Sequence, residues 1–183
     1  ADAKLLGDSF SGYADRIDYG IDHHPSNTGY AKKTIVDSAA SSAGELLFDL
    51  LKEAEIPFDR QTAVCLYTAV TSDTGCFKFA NVTPHTHQVA AELLQYGFEA
   101  EPINRRLFDI SSLEQLKIEA DVISRIESYR NPAVTVATLP FSLLENAGED
   151  LEFGALSSIP RRIEGTVIGI SMREYEKDAV KVS

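Results

Sequence analysis

Residues 17–24, IDYGIDHH, decide the fold of this chain, because they contain a predicted strand and the polar residues at its end. The apolar run Ile17–Ile21 predicts a β-strand, and Asp22, His23 and His24 follow at its carboxyl end, where open α/β sheets place their ligands. Neighbouring side chains in extended backbone point to opposite faces, so one histidine can face a metal ion and the other a substrate. The aspartate can orient an imidazole from behind. The alternative is a helix-capping aspartate beside two surface imidazoles.

A second motif of this kind follows further along the chain. Residues 71–75, TSDTG, end an apolar helical stretch over residues 62–70. The helix dipole disfavours a carboxylate such as Asp73 at a helix C-terminus, and a divalent cation would offset that cost. The alternative is a helix stop in which Gly75 is left-handed and Asp73 is a solvated acid. Taken together, the two motifs favour a metal site.

Short apolar runs alternate with amphipathic helices along the chain, which indicates α/β organisation. The predicted strands are Ile17–Ile21, Tyr30–Ile35, Ala133–Leu139, Thr166–Met172 and Ala179–Val182. Predicted helices begin after the caps Ser42, Asp59 and Thr83, at Pro102 and at Leu151, and a Ser111–Glu114 capping box precedes a long helix over Leu113–Tyr129. A short turn near Lys177–Asp178 predicts an antiparallel hairpin.

The two motifs resemble those of a known family. Asp22-His23-His24 and Asp73-Thr74-Gly75 are similar to the third and fourth motifs of the DHH phosphoesterases, manganese-dependent enzymes that split phosphate esters and anhydrides. The segments SSAGEL (41–46), FKF (77–79) and AAELL (90–94) agree, and the tail 163–183 resembles the start of the DHHA1 substrate domain. The most similar branch degrades very short RNA oligomers and dephosphorylates phosphoadenosine phosphate.

The resemblance implies an α/β fold with a particular domain order. We expect a DHH-type parallel-sheet catalytic domain over 1–112 without its N-terminal strands, a connecting helix over 113–131, and an incomplete α+β DHHA1-like substrate domain over 132–183. The family's first metal motif is absent, its second would precede Ala1, and its glycine-rich loop would lie beyond Ser183. The sequence is therefore interpreted as an internal piece of a longer enzyme, and we expect this piece alone to be inactive.

The resemblance also implies roles for individual side chains. His23 and Asp73 would be ligands of one metal ion, while His24 would contact the phosphate or protonate the leaving group. Asp22 would hold an imidazole in place. Ser26 and Asn27 would bind a substrate oxygen or only form the turn, and the sequence does not separate these. The expected cofactor is Mn²⁺, two ions in the full-length enzyme, with Mg²⁺ or Co²⁺ as alternatives.

Other polar residues are weaker candidates. His85 and His87 would form a zinc site or, in the simpler interpretation, occupy the first turn of a helix. The pairs Arg105–Arg106 and Arg161–Arg162 would bind phosphate bidentately or remain surface arginines. Cys65 and Cys76 are too few for a disulfide framework and indicate a reducing, cytoplasmic location.

Composition limits the partners. The net charge of −11 argues against binding long duplex nucleic acid, which requires neutralisation of many phosphates, and leaves a small phosphorylated substrate or short RNA. No apolar run is long enough to cross a bilayer. Apolar surface bared where strands are missing would favour a homodimer. Alternative functions are a cyclic-dinucleotide phosphodiesterase, a single-strand exonuclease or a polyphosphate-splitting enzyme of the same superfamily, and a degenerate nucleotide-binding or interaction domain.

Overall fold

The chain folds as two units that divide between Ile110 and Ser111. The computed structural model describes residues 7, 10, 12–13, 16–144, 153–176 and 179–183. Both units combine helices with strands, so the predicted mixed α/β class is confirmed. Over the described residues, no helix is both long and apolar enough to cross a membrane.

The first unit begins with two parallel strands. Strand β1 (Tyr19–Asp22) pairs with β2 (Lys33–Val36), and Asp22 lies opposite Val36. Both strands start later than the predicted runs, but Asp22 is the last residue of β1. The two histidines therefore follow the carboxyl end of a parallel strand, as the sequence predicted.

The described part of the first unit continues with the helices α1 (Ala43–Glu53), α2 (Arg60–Asp73), α3 (Pro84–Leu94) and α4 (Ala100–Phe108). Three predicted caps are confirmed. The side chains of Ser42, Asp59 and Thr83 accept hydrogen bonds from the amides of residues three further on, which satisfies donors that the helix itself leaves unpaired.

The core of the first unit lies between α1, α2 and α3. Its buried members come from these helices and, in the case of the last one, from the loop after α3: Phe48, Ala63, Leu66, Tyr67, Val70, Val89, Ala90, Leu93 and Phe98. The rings of Tyr67 and Phe98 meet edge to face with their centroids 5.4 Å apart. This core fixes the start of α1 and the end of α2, which are the two helix ends that border the Asp-His-His motif.

The second unit is a four-stranded mixed sheet with helices. Its elements are α5 (Leu113–Ser124), β3 (Glu127–Tyr129), β4 (Val134–Leu139), α6 (Phe141–Leu144), α7 (Phe153–Ser158), a 3₁₀ turn (Ile159–Arg162), β5 (Ile168–Glu176) and β6 (Ala179–Val182). The strand order is β3-β4-β5-β6, with β4 and β5 parallel and the outer pairs antiparallel. The predicted β5–β6 hairpin is confirmed, although its predicted turn at Lys177–Asp178 lies outside the described residues. Residues 151–152, where a helix was predicted to begin, also lie outside the described residues.

The prediction of one helix over Leu113–Tyr129 is wrong in its last part. Helix α5 ends at Ser124, and residues 127–129 form a strand paired with β4. Arg130 and Asn131 both have positive φ, which turns the chain back into an antiparallel hairpin. The predicted capping box is also shifted by one residue, because Ser112 caps α5 and accepts from the Gln115 amide.

Helix α5 was expected to be a connector, yet it contributes to the core of the second unit. Ile118 and Val122 of α5 belong to the same buried cluster as Ala137 and Leu139 of β4 and Leu156 of α7. A helix that buries two residues in this way is held in place by its own unit. This packing, rather than helix propensity alone, stabilises α5.

Candidate functional site

Asp22 is buried at the end of β1 and accepts three hydrogen bonds. Its Oδ1 accepts from the His24 amide at 3.1 Å and lies 2.7 Å from the His24 ring nitrogen Nδ1, and its Oδ2 accepts from the Asn27 side chain at 2.6 Å. Burial raises the pKa of Asp22, but the bonds from Asn27 and His24 outweigh burial and hold the pKa well below its usual range. Asp22 is therefore an ionised anchor for the loop that follows β1.

His23 is oriented by the backbone of the loop before α1. Its Nδ1 lies 3.3 Å from the Ala40 carbonyl oxygen, which can only accept a hydrogen bond. That contact places the proton on Nδ1 in the neutral ring and leaves the Nε2 lone pair for another partner. A backbone carbonyl that fixes the tautomer in this way is typical of metal-binding histidines.

Asp73 lies at the C-terminus of α2, where a tight loop leaves the helix. Thr74 is fully buried; its hydroxyl donates to the Val70 carbonyl at 2.7 Å and accepts from the Phe77 amide at 3.2 Å. Gly75, Cys76 and Phe77 then follow with φ of 56°, 57° and 60°, so Gly75 is left-handed, as in the alternative of a helix stop, and the next two residues are left-handed as well. A Cβ at Gly75 would also lie 2.4 Å from the Phe79 ring, which would have to move to accommodate a side chain there.

The structure brings His23 and Asp73 together. The His23 Nε2 lies 3.3 Å from the Asp73 Oδ2, although the two residues come from different elements. A neutral Nε2 and a carboxylate oxygen both present lone pairs, so a cation bound between them would be stabilising. Two donors that bind one ion at about 2.1 Å and a right angle are about 3 Å apart, and the observed separation is close to that value. The pair therefore fits a divalent metal.

His24 and the turn behind it complete the site. The His24 side chain is 59% exposed, and its ring meets the His23 ring edge to face with centroids 4.3 Å apart. Asn27 uses its amide nitrogen on Asp22 and accepts from the Gly29 amide at 2.7 Å, so its side chain forms the turn. Ser26 is exposed beside them.

Sequence reasoning missed a group of residues behind His23. They are Ala40, whose carbonyl orients the ring, Ser41 and Glu45, which are buried against each other, and Asn81, which bonds the backbone of both Ser41 and Asp73. The contacts of His23 and Asn81 run to backbone carbonyls of residues that are distant in the sequence. The segment SSAGEL was noted only for its resemblance to the family, and Asn81 gave no signal.

The alternative zinc pair is not assembled. His85 bonds Asp49 of α1, and His87 stacks on Phe77 with ring centroids 5.3 Å apart. Among the residues that the structure describes, no three His, Cys, Asp or Glu side chains are grouped closely enough to hold a metal ion. Arg105, Arg106, Arg161 and Arg162 are exposed, and both cysteines are free.

The His85–Asp49 pair gives a prediction about stability and pH. The hydrogen bond that His85 donates to Asp49, whose oxygens both lie 2.9 Å from Nε2, raises the pKa of His85 against the opposing effect of burial. The stabilisation is therefore complete below about pH 6.5, the unfolded value, and is lost as the pH rises through the raised folded value. Both groups are nearly half exposed, so it amounts to less than about 1 kcal/mol.

Urea unfolding of the wild type and His85→Gln between about pH 5.5 and pH 9 tests this, because the other titrating groups cancel in the difference. The wild type should exceed the variant in unfolding free energy at the acidic end, and the gap should close towards the alkaline end. A gap that widens with pH would contradict the assignment.

Comparisons with known proteins find relatives of this chain. No protein-family profile matches the chain. The bifunctional oligoribonuclease and PAP phosphatase NrnA of Thermus thermophilus is 29% identical over 163 residues, 89% of this chain and 48% of that protein. The probable bifunctional oligoribonuclease and PAP phosphatase NrnA of Streptococcus mutans is 31% identical over 144 residues, 79% of this chain and 46% of that protein. The chain thus spans about half the length of the curated relatives it matches.

A solved structure shares the fold. The crystal structure of an exopolyphosphatase-related protein from Bacteroides fragilis matches with a TM-score of 0.82 and 23% identity, covering 100% of this chain and 55% of that one. This likeness concerns the fold alone. With the two motifs in order and with relatives named as oligoribonucleases and phosphatases, the chain is related to the DHH/DHHA1 phosphoesterases.

Proposed function

We propose that the protein carrying this chain is a manganese-dependent phosphoesterase that hydrolyses short oligonucleotides or nucleoside phosphates such as phosphoadenosine phosphate. The observation that carries the proposal is the 3.3 Å approach of the His23 Nε2 to the Asp73 Oδ2 beside the exposed His24 ring. The names of the two curated relatives supply the substrate class.

The donor set suits the proposed metal. One imidazole nitrogen and one carboxylate oxygen are ligands that Mn²⁺ accepts, and Mg²⁺ or Co²⁺ would be alternatives. His23 and Asp73 would hold one ion, and further ligands would come from outside this chain. When bound, a pair of such ions polarises a phosphoryl group and lowers the pKa of a coordinated water. Because two donors are few, this chain alone should bind metal weakly and be inactive.

The protein's own side chains would orient the substrate and move protons. Asp22 fixes the His24 ring through Nδ1, which leaves Nε2 as the nitrogen for a phosphate oxygen or a leaving group. A histidine held in this way can act as a general acid when doubly protonated. The loop contacts of Asn27 favour a turn-forming role, while Ser26 is a candidate for hydrogen bonding to substrate.

The substrate class can be tested by chain length and salt. A net charge of −11 disfavours binding of a long strand, because such binding requires neutralisation of many phosphates. We expect hydrolysis by the full-length protein to fall steeply beyond oligonucleotides of about five residues, and raising salt from about 50 to 200 mM should change the rate on dinucleotides little.

The control is a nitrophenyl phosphodiester, which carries one phosphate and has no length dependence. Processive digestion of a long single strand with a strong salt dependence would favour the exonuclease alternative. Selective hydrolysis of cyclic dinucleotides would favour the phosphodiesterase alternative, and absence of hydrolysis on every substrate would favour the degenerate binding domain.

Location and assembly are further parts of the proposal. Both cysteines of the chain are free, which is consistent with a reducing cytoplasm. Tyr19 and Ile21 of β1 and Ile35 and Val36 of β2 are exposed apolar residues, and a second copy of the protein would be a suitable partner for such a surface. We therefore propose a cytoplasmic enzyme, and we expect this piece of it to form homodimers through the bared surface.

A further inference from the structure

We infer that Asn81 is a positioning residue that holds His23 and Asp73 at their observed separation by tying the loop before α1 to the end of α2. This inference rests on the proposed function for the identity of the ion that the pair binds. Asn81 lies outside both sequence motifs and carries no charge, so its role comes from its hydrogen bonds.

The Asn81 amide nitrogen has two protons and uses both on backbone carbonyls. It donates to the Ser41 carbonyl at 2.7 Å and to the Asp73 carbonyl at 3.2 Å. One small planar group therefore links two segments that are far apart in sequence. One of these segments supplies the carbonyl that orients His23, and the other carries the Asp73 carboxylate.

The loop is fixed from its other side by Glu45. The Glu45 carboxylate accepts from the Ser41 amide at 3.2 Å and from the Ser41 hydroxyl at 2.5 Å, and both residues are buried. The Ser41 amide belongs to the same rigid peptide plane as the Ala40 carbonyl that bonds His23. Glu45 thus sets the direction of that carbonyl.

Asn81 acts on the next peptide plane along the chain. With Glu45 holding the plane between Ala40 and Ser41, and Asn81 holding the Ser41 carbonyl, two consecutive planes are fixed. The second bond from Asn81 places the end of α2 relative to them. Removal of Asn81 leaves Glu45 as the remaining hydrogen-bond partner of Ser41, so the loop is less fixed, and it also releases the link to Asp73. The expected consequence is a looser His23–Asp73 pair.

The test compares Asn81→Ala and Asn81→Asp with the wild type in the full-length protein. Aspartate keeps the size of the side chain but cannot donate to the two carbonyls when ionised. We expect the dissociation constant for Mn²⁺, measured by calorimetry and by electron paramagnetic resonance of free Mn²⁺, to rise about 10–100-fold in both variants.

The matched control is Asn104→Ala. Asn104 lies in the same unit and donates from its side chain to the Tyr67 hydroxyl at 3.3 Å, away from the loop and from Asp73. The Mn²⁺ affinity of Asn104→Ala should equal that of the wild type. The thermal unfolding temperature of the metal-free protein should fall by similar amounts in the Asn81 and Asn104 variants.

A second readout does not depend on metal. Ring ¹⁵N chemical shifts should report His23 as the Nδ1-protonated tautomer in the metal-free wild type and as a mixture of tautomers in Asn81→Ala, since the carbonyl acceptor is then less fixed. If alanine prevents folding, Asn81→Asp provides both measurements.

The outcomes separate this inference from the proposed function. Unchanged Mn²⁺ affinity and an unchanged His23 tautomer in the Asn81 variants would overturn the positioning role while leaving the proposed function intact. A wild-type protein that binds no Mn²⁺ and hydrolyses no phosphoester would overturn the proposed function and the role of Asn81 with it.

Discussion

His23→Ala and Asp73→Ala should each reduce Mn²⁺-stimulated hydrolysis of a nitrophenyl phosphodiester by the full-length protein at least ~10²-fold, because changes to groups that only support a ligand already cost 10–100-fold. The physical reason is the 3.3 Å contact between the His23 Nε2 and the Asp73 Oδ2. In the proposed site, either variant leaves one donor where two would share a cation, and neither alanine can supply a replacement.

The matched histidine control is His87→Ala. His87 stacks on Phe77 in the same unit and has no part in the proposed ligand set, so its replacement should change turnover less than threefold. Mn²⁺ titration should show weakened binding in the His23 and Asp73 variants only. Near-normal turnover in His23→Ala would contradict the assignment, as would equal losses in His23→Ala and His87→Ala.

Features that depend on local sequence were predictable. One example is the set of helix caps Ser42, Asp59 and Thr83. A hydroxyl or carboxylate at the cap accepts a hydrogen bond from the unpaired backbone amide three residues further on, wherever the helix lies in the fold. The position of Asp22 at the end of a strand follows from the apolar run before it. These interactions span only a few residues, so they can be predicted without knowledge of the tertiary structure.

Features that depend on tertiary contact were not predictable. The residues after Ser124 have helical spacing, yet 127–129 pair with β4 because the hairpin supplies ladder hydrogen bonds that an exposed helix end lacks. The approach of His23 to Asp73 was inferred from resemblance, since nothing local joins a strand end to the end of a distant helix. The carbonyls of Ala40 and Ser41 could not be assigned at all, because every residue carries one.

The crossing of α1 and α2 gives the second large expected effect. A Cβ added at Gly44 would lie 2.7 Å from the Ala69 Cβ and 3.2 Å from the Leu66 carbonyl oxygen. Neither atom is at the end of a flexible side chain, so α1 would have to move away from α2. We expect Gly44→Ala to lower the free energy of unfolding by about 1–3 kcal/mol, despite the better helix propensity of alanine.

The reciprocal exchange shows whether this loss comes from the crossing itself. Ala69→Gly removes the methyl group that a Gly44 side chain would meet, at a cost of about 0.5–1 kcal/mol for a glycine inside a helix. In Gly44→Ala/Ala69→Gly the methyl is moved from one helix to the other, so the close approach is largely restored. In urea unfolding, the double variant should therefore lose less unfolding free energy than the two single variants lose in sum, by more than about 0.5 kcal/mol.

The same exchange connects packing to the site. Helix α1 begins at Ala43, two residues after Ser41, and Glu45 on its first turn bonds the peptide that orients His23. A shift of α1 in Gly44→Ala should therefore weaken Mn²⁺ binding by the full-length protein as well as stability, and the double variant should recover both together. If the losses of the two single variants are additive in the double variant, the contact between positions 44 and 69 does not determine how closely α1 and α2 pack. Recovered stability without recovered Mn²⁺ binding would show that the start of α1 does not set the geometry of His23.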